Sequence, residues 1–320
     1  MLRLLRGIAA GLALFAASSA FAQDYPSRPV KILVPYGPGT GIDLVARIVA
    51  ERLSKSLNQS FVVENRTGAG GTIASAAVAQ AAPDGYTLLM NASSQTSLPA
   101  LYKNLSFDGR RDFVGVAIVG TSPLVLVTSK AKGFATVKEL VAAGKAMPDA
   151  LTFASAGVGT TTHLSAEKFR LAAGFQALHI PYKSTTDALA EVMTGRIDYL
   201  VTTVPSALGP VKDGRLVALA TGAKRAAALP NVPTLAEAGV PGAESDTWFG
   251  MFAPAKTPRE VVARLHAEVG KAVATPEVQE RLAKIGAEPA SMSLSDIDAM
   301  LKREFAENEQ LVKTIGIKLE

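Results

Sequence analysis

Short apolar runs rich in Val, Ile and Leu alternate along the chain with longer stretches whose apolar residues recur every three or four positions. The runs predict strands at Val30–Pro35, Phe61–Glu64, Thr87–Asn91, Gly115–Val119, Leu124–Thr128, Leu151–Ser155, Ala177–Pro181, Tyr199–Thr203, Val217–Thr221 and Phe249–Ala253. The longer stretches predict helices at Asp43–Leu57, Gly71–Ala81, Val137–Ala146, His163–Ala173, Thr185–Thr194, Thr234–Gly239, Arg259–Ala274, Pro276–Ile285 and Leu294–Ile315. In the first helix Val45, Ile48, Val49, Leu53 and Leu57 make one apolar stripe. This alternation predicts an α/β fold with mostly parallel sheets and helices on both faces. The chain has 320 residues, a length that suggests two domains, and neither an internal repeat nor a flexible linker marks a boundary between them.

The N-terminus has a different character. Arg3 and Arg6 precede an apolar stretch from Gly7 to Phe15, and Ala20-Phe21-Ala22 offers a small-x-small cleavage site. That layout predicts a secretory signal peptide cut after Ala22. The apolar run is shorter than the roughly 20 residues of a membrane-spanning helix. No later run reaches that length, so the mature chain is expected to be soluble.

Charge and cysteine content narrow the chemistry. The chain carries 33 Lys and Arg against 28 Asp and Glu, and loss of Arg3 and Arg6 with the leader leaves an excess of three. Basic residues are scattered rather than clustered, which argues against nucleic acid and suits small anions. With no cysteine, disulfides, thiolate metal sites and cysteine nucleophiles are excluded.

Two stretches share one design. "VKILVPYGPGTGIDLVARIVAERL", from Val30 to Leu53, and "LTFASAGVGTTTHLSAEKFRLAAG", from Leu151 to Gly174, each read as strand, glycine loop and amphipathic helix. Neither fits the dinucleotide fingerprint G-x-G-x-x-G: the third glycine falls on Ile42 in one and Thr162 in the other. No phosphate loop with a following lysine is present, and "RTGAGGTIAS" from Arg66 is glycine-rich without one. What remains is the general affinity of a helix start for an anion, through unpaired N–H groups and the macrodipole. Thr40, Thr160, Thr161 and Thr162 add hydroxyls, and no Lys or Arg lies in either loop. A single loop of this kind reads more simply as a helix cap. Matched loops in both halves favour binding of a releasable carboxylate in a cleft at the strand ends.

Catalytic constellations are sparse. His163, His179 and His266 have no metal-ligand spacing, and no G-x-S-x-G elbow occurs. His179 and His266 read as structural, whereas His163 either donates to a ligand or braces the second helix start. Asp43 reads as a cap. Trp248 either lines the cleft edge or packs a hinge.

The stretches "YPSRPVKILVPYGPGTGIDLVAR", "VVENRTGAGGTIASAAVAQAAPDGYTLL", "LPALY", "FASAGVGTTTHLSAEKF", "IPYKS", "PSALGPVKDGRLVALA", "LPNVPTLAEAGVPG" and "WFGMFAPAKTPREVVARL" run through nearly the whole mature chain. Together they closely resemble the solute-binding proteins of tripartite tricarboxylate transporters, called Bug receptors in some bacteria. The resemblance implies a type II periplasmic-binding-protein fold. After the leader (residues 1–22), residues 23–122 with 249–320 would form one lobe, and 123–248 an inserted second lobe. The chain would cross near Ser122–Leu124 and Asp246–Trp248. A carboxylate would be held by Tyr36, Pro38, Gly39, Thr40 and Gly41 of the first loop and by Ala156, Gly157, Gly159, Thr160, Thr161 and His163 of the second. Ser93, Ser94, Thr96 and Thr203 would add contacts, while Tyr182 and Lys183 either approach the pocket or serve packing.

The implied protein is a periplasmic, monomeric, non-enzymatic receptor. It would need no cofactor, metal or nucleic acid, and would deliver its ligand to the membrane subunits of the transporter. Two departures from the family pattern bear on the ligand. Relatives often read V-P-F-x-x-G-G-A-T-D in the first loop, where this chain places Thr40 at the second glycine and Ile42 at the threonine. Many also carry an aspartate before "PSAL", where this chain has Thr202 and Thr203. Without that counter-ion, amino acids lose ground to carboxylates with an uncharged aliphatic or aromatic body. Two alternatives stand beside this reading: an α/β enzyme that binds NAD, and a receptor that signals to a membrane sensor.

Overall fold

A computed structural model describes residues 25–148 and 150–317; the predicted leader lies outside the described residues. The first half runs β1 (Val30–Val34), α1 (Gly41–Leu57), β2 (Phe61–Asn65), α2 (Thr72–Ala79), β3 (Thr87–Ala92) and the short α3 (Leu98–Leu101). The 17-residue strand β4 (Phe113–Ser129) then leads into α4 (Val137–Ala146), β5 (Thr152–Ser155), α5 (Thr161–Ala173), β6 (Leu178–Pro181), α6 (Thr185–Met193), β7 (Tyr199–Thr203), α7 (Val204–Lys212) and β8 (Leu216–Thr221). Strand β9 (Asp246–Pro254) returns the chain to the first half, followed by α8 (Arg259–Val273), α9 (Pro276–Ile285), β10 (Glu288–Pro289) and α10 (Leu294–Ile315).

The strands form one mixed sheet in the order β2-β1-β3-β9-β4-β7-β5-β6, with β8 and β10 paired to β4 off that path. Strands β1, β2 and β3 pair in parallel, as do β5, β6 and β7. Every antiparallel ladder involves β4 or β9. The expected parallel order therefore holds within each half, and the two long strands that join the halves make the sheet mixed. Instead of the two predicted runs Gly115–Val119 and Leu124–Thr128, β4 is a single strand. Its first part pairs with β9 from Phe113↔Pro254 to Pro123↔Asp246, and its second part pairs with β7 from Leu124↔Thr203 onward. The interruption at Gly120–Pro123 read as a break, yet extended backbone continues through it because β9 supplies partners on one edge.

Alternation along the strands sends side chains into separate cores. Val30, Ile32 and Val34 join α1, α8 and α9, while Leu33 joins α2 and α10 on the opposite face. In the second half Leu124 and Leu126 face one cluster and Val125 and Val127 the other. The predicted stripe of α1 is buried at Val45, Ile48, Val49 and Leu53, with Leu57 partly so.

Two helix expectations need correction. Thr234–Gly239 is a single turn: Thr234 Oγ1 accepts from Glu237 N while the Glu237 carboxylate accepts from Thr234 N, and Val240 N already closes back on Leu235 O. Pro233 ahead and Pro241 behind leave no room for a second turn. Conversely α7 was not among the expected helices, and it contains Pro205 and Pro210. Pro205 occupies the first turn, where its missing N–H costs nothing, and the apolar face made by Val204, Ala207 and Leu208 is buried.

Candidate functional site

The loops after β1, β3, β5 and β7 converge at the carboxyl ends of the parallel strands. Between the halves lies a cavity of ≈ 40 Å³, room for only a few waters. Tyr36, Thr40, Gly41, Ile42, Ala92, Thr247 and Phe249 line it from the first half and the joining strand. Ala156, Thr160, Thr161, Thr162, Thr185, Thr202, Thr203 and Ser206 line it from the second half. Among the described residues no ionisable carboxylate, amine, guanidinium or imidazole is part of this lining.

Four helices begin at this cavity. Helix α1 starts after Thr40, α5 after Thr160, α6 after Ser184 and α7 after Thr203. Each helix start carries a partial positive charge from its unpaired N–H groups, worth about 0.3–1 kcal/mol to a nearby anion. Much of the hydrogen-bonding capacity of the loops is already committed. Gly39 N donates to Asp43 Oδ2 at 2.9 Å, and Gly41 N donates across the cleft to Ser206 Oγ at 2.8 Å. In the second loop Gly157 N donates to Ser155 Oγ, Ala156 N to Thr162 Oγ1 and Gly159 N to His163 Nδ1. The N–H groups of Ile42, Asp43, Thr161 and Thr162 have no partner among the described residues. They are the donors left at the two matched helix starts. The Thr202 hydroxyl, fully buried, is also unpartnered.

The first loop is held from beneath. Asp43, 1 % exposed, accepts from Gly39 N, Asn65 Nδ2 and Arg47 but from no N–H of the first turn of α1, so in place of the expected cap it is an anchor for the loop. Tyr36 presents its ring to the cavity, and its hydroxyl pairs with Ser94 Oγ at 2.9 Å. Burial pushes that phenol up to about 12.

The halves touch at several points around the cavity. Thr186 Oγ1 donates to Pro38 O (3.2 Å), Ser97 Oγ to Gly159 O (3.0 Å) and Tyr102 OH to Val158 O (3.0 Å). Ser93 Oγ bridges Thr161 Oγ1 of the second half and Thr247 Oγ1 of the joining strand. The cleft is closed.

The family description "Tripartite tricarboxylate transporter family receptor" matches residues 45–317. This chain belongs to that family. It is 38% identical over 312 residues to the "UPF0065 protein in tcbD-tcbE intergenic region" of Pseudomonas sp., covering 97% of this chain and 93% of the relative. It is 34% identical over 306 residues to "Protein BugT" of Bordetella pertussis, covering 95% and 94%. Among solved structures, R. palustris Rpa4515 with adipate superposes with a TM-score of 0.89 at 33% identity, covering 92% of this chain and 99% of that one. The periplasmic binding protein BugD gives 0.88 at 33%, covering 92% and 100%. MatC from Rhodopseudomonas palustris with bound malate gives 0.85 at 30%, covering 90% and 100%. The protein is a solute-binding receptor of the tripartite tricarboxylate transporter family, with the two-lobed α/β fold of periplasmic binding proteins.

Within this receptor, seven of the expected site residues meet at the cavity: Tyr36, Thr40, Gly41, Ala156, Thr160, Thr161 and Thr203. Others lie elsewhere. Pro38 and Gly39 are exposed at the rim. Ser93 and Ser94 face a neighbouring groove with Trp248 and Glu304. Thr96 is buried against α10, where its hydroxyl meets Glu304 and Asn308. Gly157 packs on Gly70, and Gly159 on Leu101.

His163 braces the second loop. It is buried and stacked on His179 with ring centroids 3.9 Å apart, and it accepts from Gly159 N. Burial, with help from His179 and Arg170, lowers it to about 3, so it is neutral. His179 binds Ser155 Oγ, and His266 Nδ1 binds Val116 O. The Trp248 indole packs a core and donates to Glu304, on the face of β9 opposite Thr247 and Phe249. Tyr182 packs in the second-half core, and neither it nor Lys183 lines the cavity.

Sequence reasoning left Ala92, Thr185, Ser206, Thr247 and Phe249 out of the site, and named Ile42, Thr162 and Thr202 as loop features that bear on the ligand without placing them in contact with it. Thr185 and Ser206 carried a usable signal, since each lies in the first turn of a helix that follows a strand. Thr247 and Phe249 carried none, because only the return of β9 beside β3 brings them to the cleft.

Proposed function

We propose that this receptor captures a small di- or tricarboxylate, aliphatic or aromatic, between its lobes and delivers it to the membrane subunits of a tripartite tricarboxylate-type transporter. One observation carries the reading: matched helix starts from opposite halves face one cavity whose lining, among the described residues, has no carboxylate, amine, guanidinium or imidazole. A carboxylate oxygen placed there would accept from the free N–H groups at Ile42–Asp43 and Thr161–Thr162, with hydroxyls of Thr40, Thr160, Thr161, Thr202 and Thr203 within the same enclosure. Such dipolar donors stabilise an anion without a full counter-charge and still release it. An ammonium group would meet four partly positive helix starts and no carboxylate, so amino acids are disfavoured. The adipate and malate of the two R. palustris neighbours support this substrate class.

In this reading the mature chain works in the periplasm as a monomer after cleavage at Ala22, and catalyses nothing. Lobe closure about the crossings near Ser122–Leu124 and Asp246–Trp248 strips water from the ligand and couples affinity to closure. Native mass spectrometry of the exported protein as purified, followed by calorimetry with a panel of mono-, di- and tricarboxylates, tests the proposal. A co-purified organic acid that rebinds the stripped protein is the expected result. A co-purified amine or nucleotide, or no response to the whole panel, would overturn it.

A further inference from the structure

The glycine-rich stretch "VENRTGAGG", part of the resemblance to the family, does not line the cavity. Its turn is nevertheless shaped for a purpose. Gly68, Ala69, Gly70 and Gly71 all have positive φ, at 126°, 46°, 63° and 97°. Ala69 is not glycine, so the left-handed path is imposed by the fold rather than merely tolerated. The tip of this turn, Gly70, is buried against the opposite half. A Cβ there would stand 2.7 Å from Val158 O and 2.6 Å from Tyr102 OH. A Cβ on Gly157 would in turn stand 3.4 Å from Gly70 N and 3.5 Å from Gly70 Cα. Two backbones thus meet with no side chain between them. Tyr102 OH, beside the tip, donates to the same Val158 carbonyl at 3.0 Å.

The residues reached are the peptides just ahead of helix α5, whose free N–H groups face the cavity. We propose that Gly70, at the tip of the Gly68–Gly71 turn, and Tyr102 form a closure seat on the first lobe. The Gly157–Gly159 backbone docks into this seat, which sets the position of the α5 start relative to the α1 start. Gly70 is a positioning residue: it touches no ligand, and its contribution is the space it leaves. This inference rests on the hinge-closing reading above but not on the chemical class of the ligand.

The neighbouring glycine supplies the control. Gly71 has the same handedness of backbone, but a Cβ there meets Pro35 and Tyr36 of its own lobe. Gly71→Ala therefore strains the turn without obstructing the opposite half.

The chain contains no cysteine, so spin labels at Gln80→Cys and Lys212→Cys, both exposed and one in each lobe, report lobe separation by pulsed electron resonance. The distance distribution is recorded for purified, dialysed protein and again with adipate added. Wild type and Gly71→Ala should share a closed, short-distance population. Gly70→Ala should lose about tenfold or more of it, and Tyr102→Phe, which removes only the hydrogen bond, a smaller several-fold share. Equal distributions for Gly70→Ala and Gly71→Ala overturn the seat. Should Gly70→Ala fail to fold, Tyr102→Phe decides: an unchanged closed population overturns the proposal. The comparison is made without ligand as well as with adipate, so failure of the carboxylate reading leaves it intact.

Discussion

Gly41 packs tightly against the opposite lobe beside the cavity, and enlarging it by one methyl separates closure from folding. A Cβ on Gly41 would stand 2.5 Å from Thr203 Oγ1, 3.1 Å from Pro205 Cβ and 3.4 Å from Ser206 Oγ, all on the opposite lobe. Gly41 has no positive φ and occupies the first position of α1, so alanine strains nothing within its own lobe. Full closure, however, requires the contact at 2.5 Å to widen by about 1 Å to reach ordinary packing distance. Overpacking of this kind costs about 1–3 kcal/mol. Loss of the Gly41 N to Ser206 Oγ bond adds about 1 kcal/mol. Together they predict that Gly41→Ala weakens carboxylate binding by about 2–4 kcal/mol, or roughly 30- to 1,000-fold. Titration calorimetry with the acid identified by native mass spectrometry measures the ratio of Kd values. A thermal melt of the stripped protein should move by no more than about 4 °C. Wild-type affinity in Gly41→Ala would refute the reasoning, because it would mean that ligand binding does not require this contact to close.

Other perturbations probe the rest of the site. Thr202→Val removes a buried hydroxyl with no partner, so the stripped protein should gain up to about 1–2 kcal/mol in denaturant unfolding while its affinity falls several-fold; a loss of stability would show that the hydroxyl is satisfied. Asp43→Ala frees Gly39 N and Asn65 Nδ2 together and should cost about 2–3 kcal/mol of stability by urea denaturation; a cost under about 0.5 kcal/mol would contradict its anchoring role. His163 is lowered to about 3 and His179 to about 4, against an ordinary value of 6.5. The unfolded chain therefore takes up protons below pH about 6.5 that the native state refuses, so their contribution to stability is intact above that pH and declines as pH falls toward 3. Imidazole resonances of His163 that titrate with a midpoint near 6.5 would contradict this.

Much of the fold was legible because local rules and tertiary structure agree. The stripe on α1 and the two strand–loop–helix units are set by periodicity, and burial follows that pattern at Val45, Val49 and Leu53. Errors fell where a neighbour overrode the local signal. Pairing with β9 carries β4 through Gly120 and Pro123, and a buried apolar face stabilises α7 despite its prolines. The candidate site divides the same way. Thr40, Gly41, Thr160 and Thr161 were visible as loops feeding helices. Thr247 and Phe249 were not, since nothing near them in sequence marks a site.

The order of residues alone settled the α/β class, the family and the matched helix starts, because each depends on interactions within a few residues or on patterns along one element. Whether those helix starts face each other was decided only by the folded molecule. So was the commitment of Gly41 N to Ser206, 165 positions away, whereas the bonds of Gly39 N to Asp43 and Gly159 N to His163 stay within their own loops. The reason is physical: a hydrogen bond or a close glycine contact between residues more than a hundred positions apart depends on how two packed lobes meet, and no local preference encodes that distance.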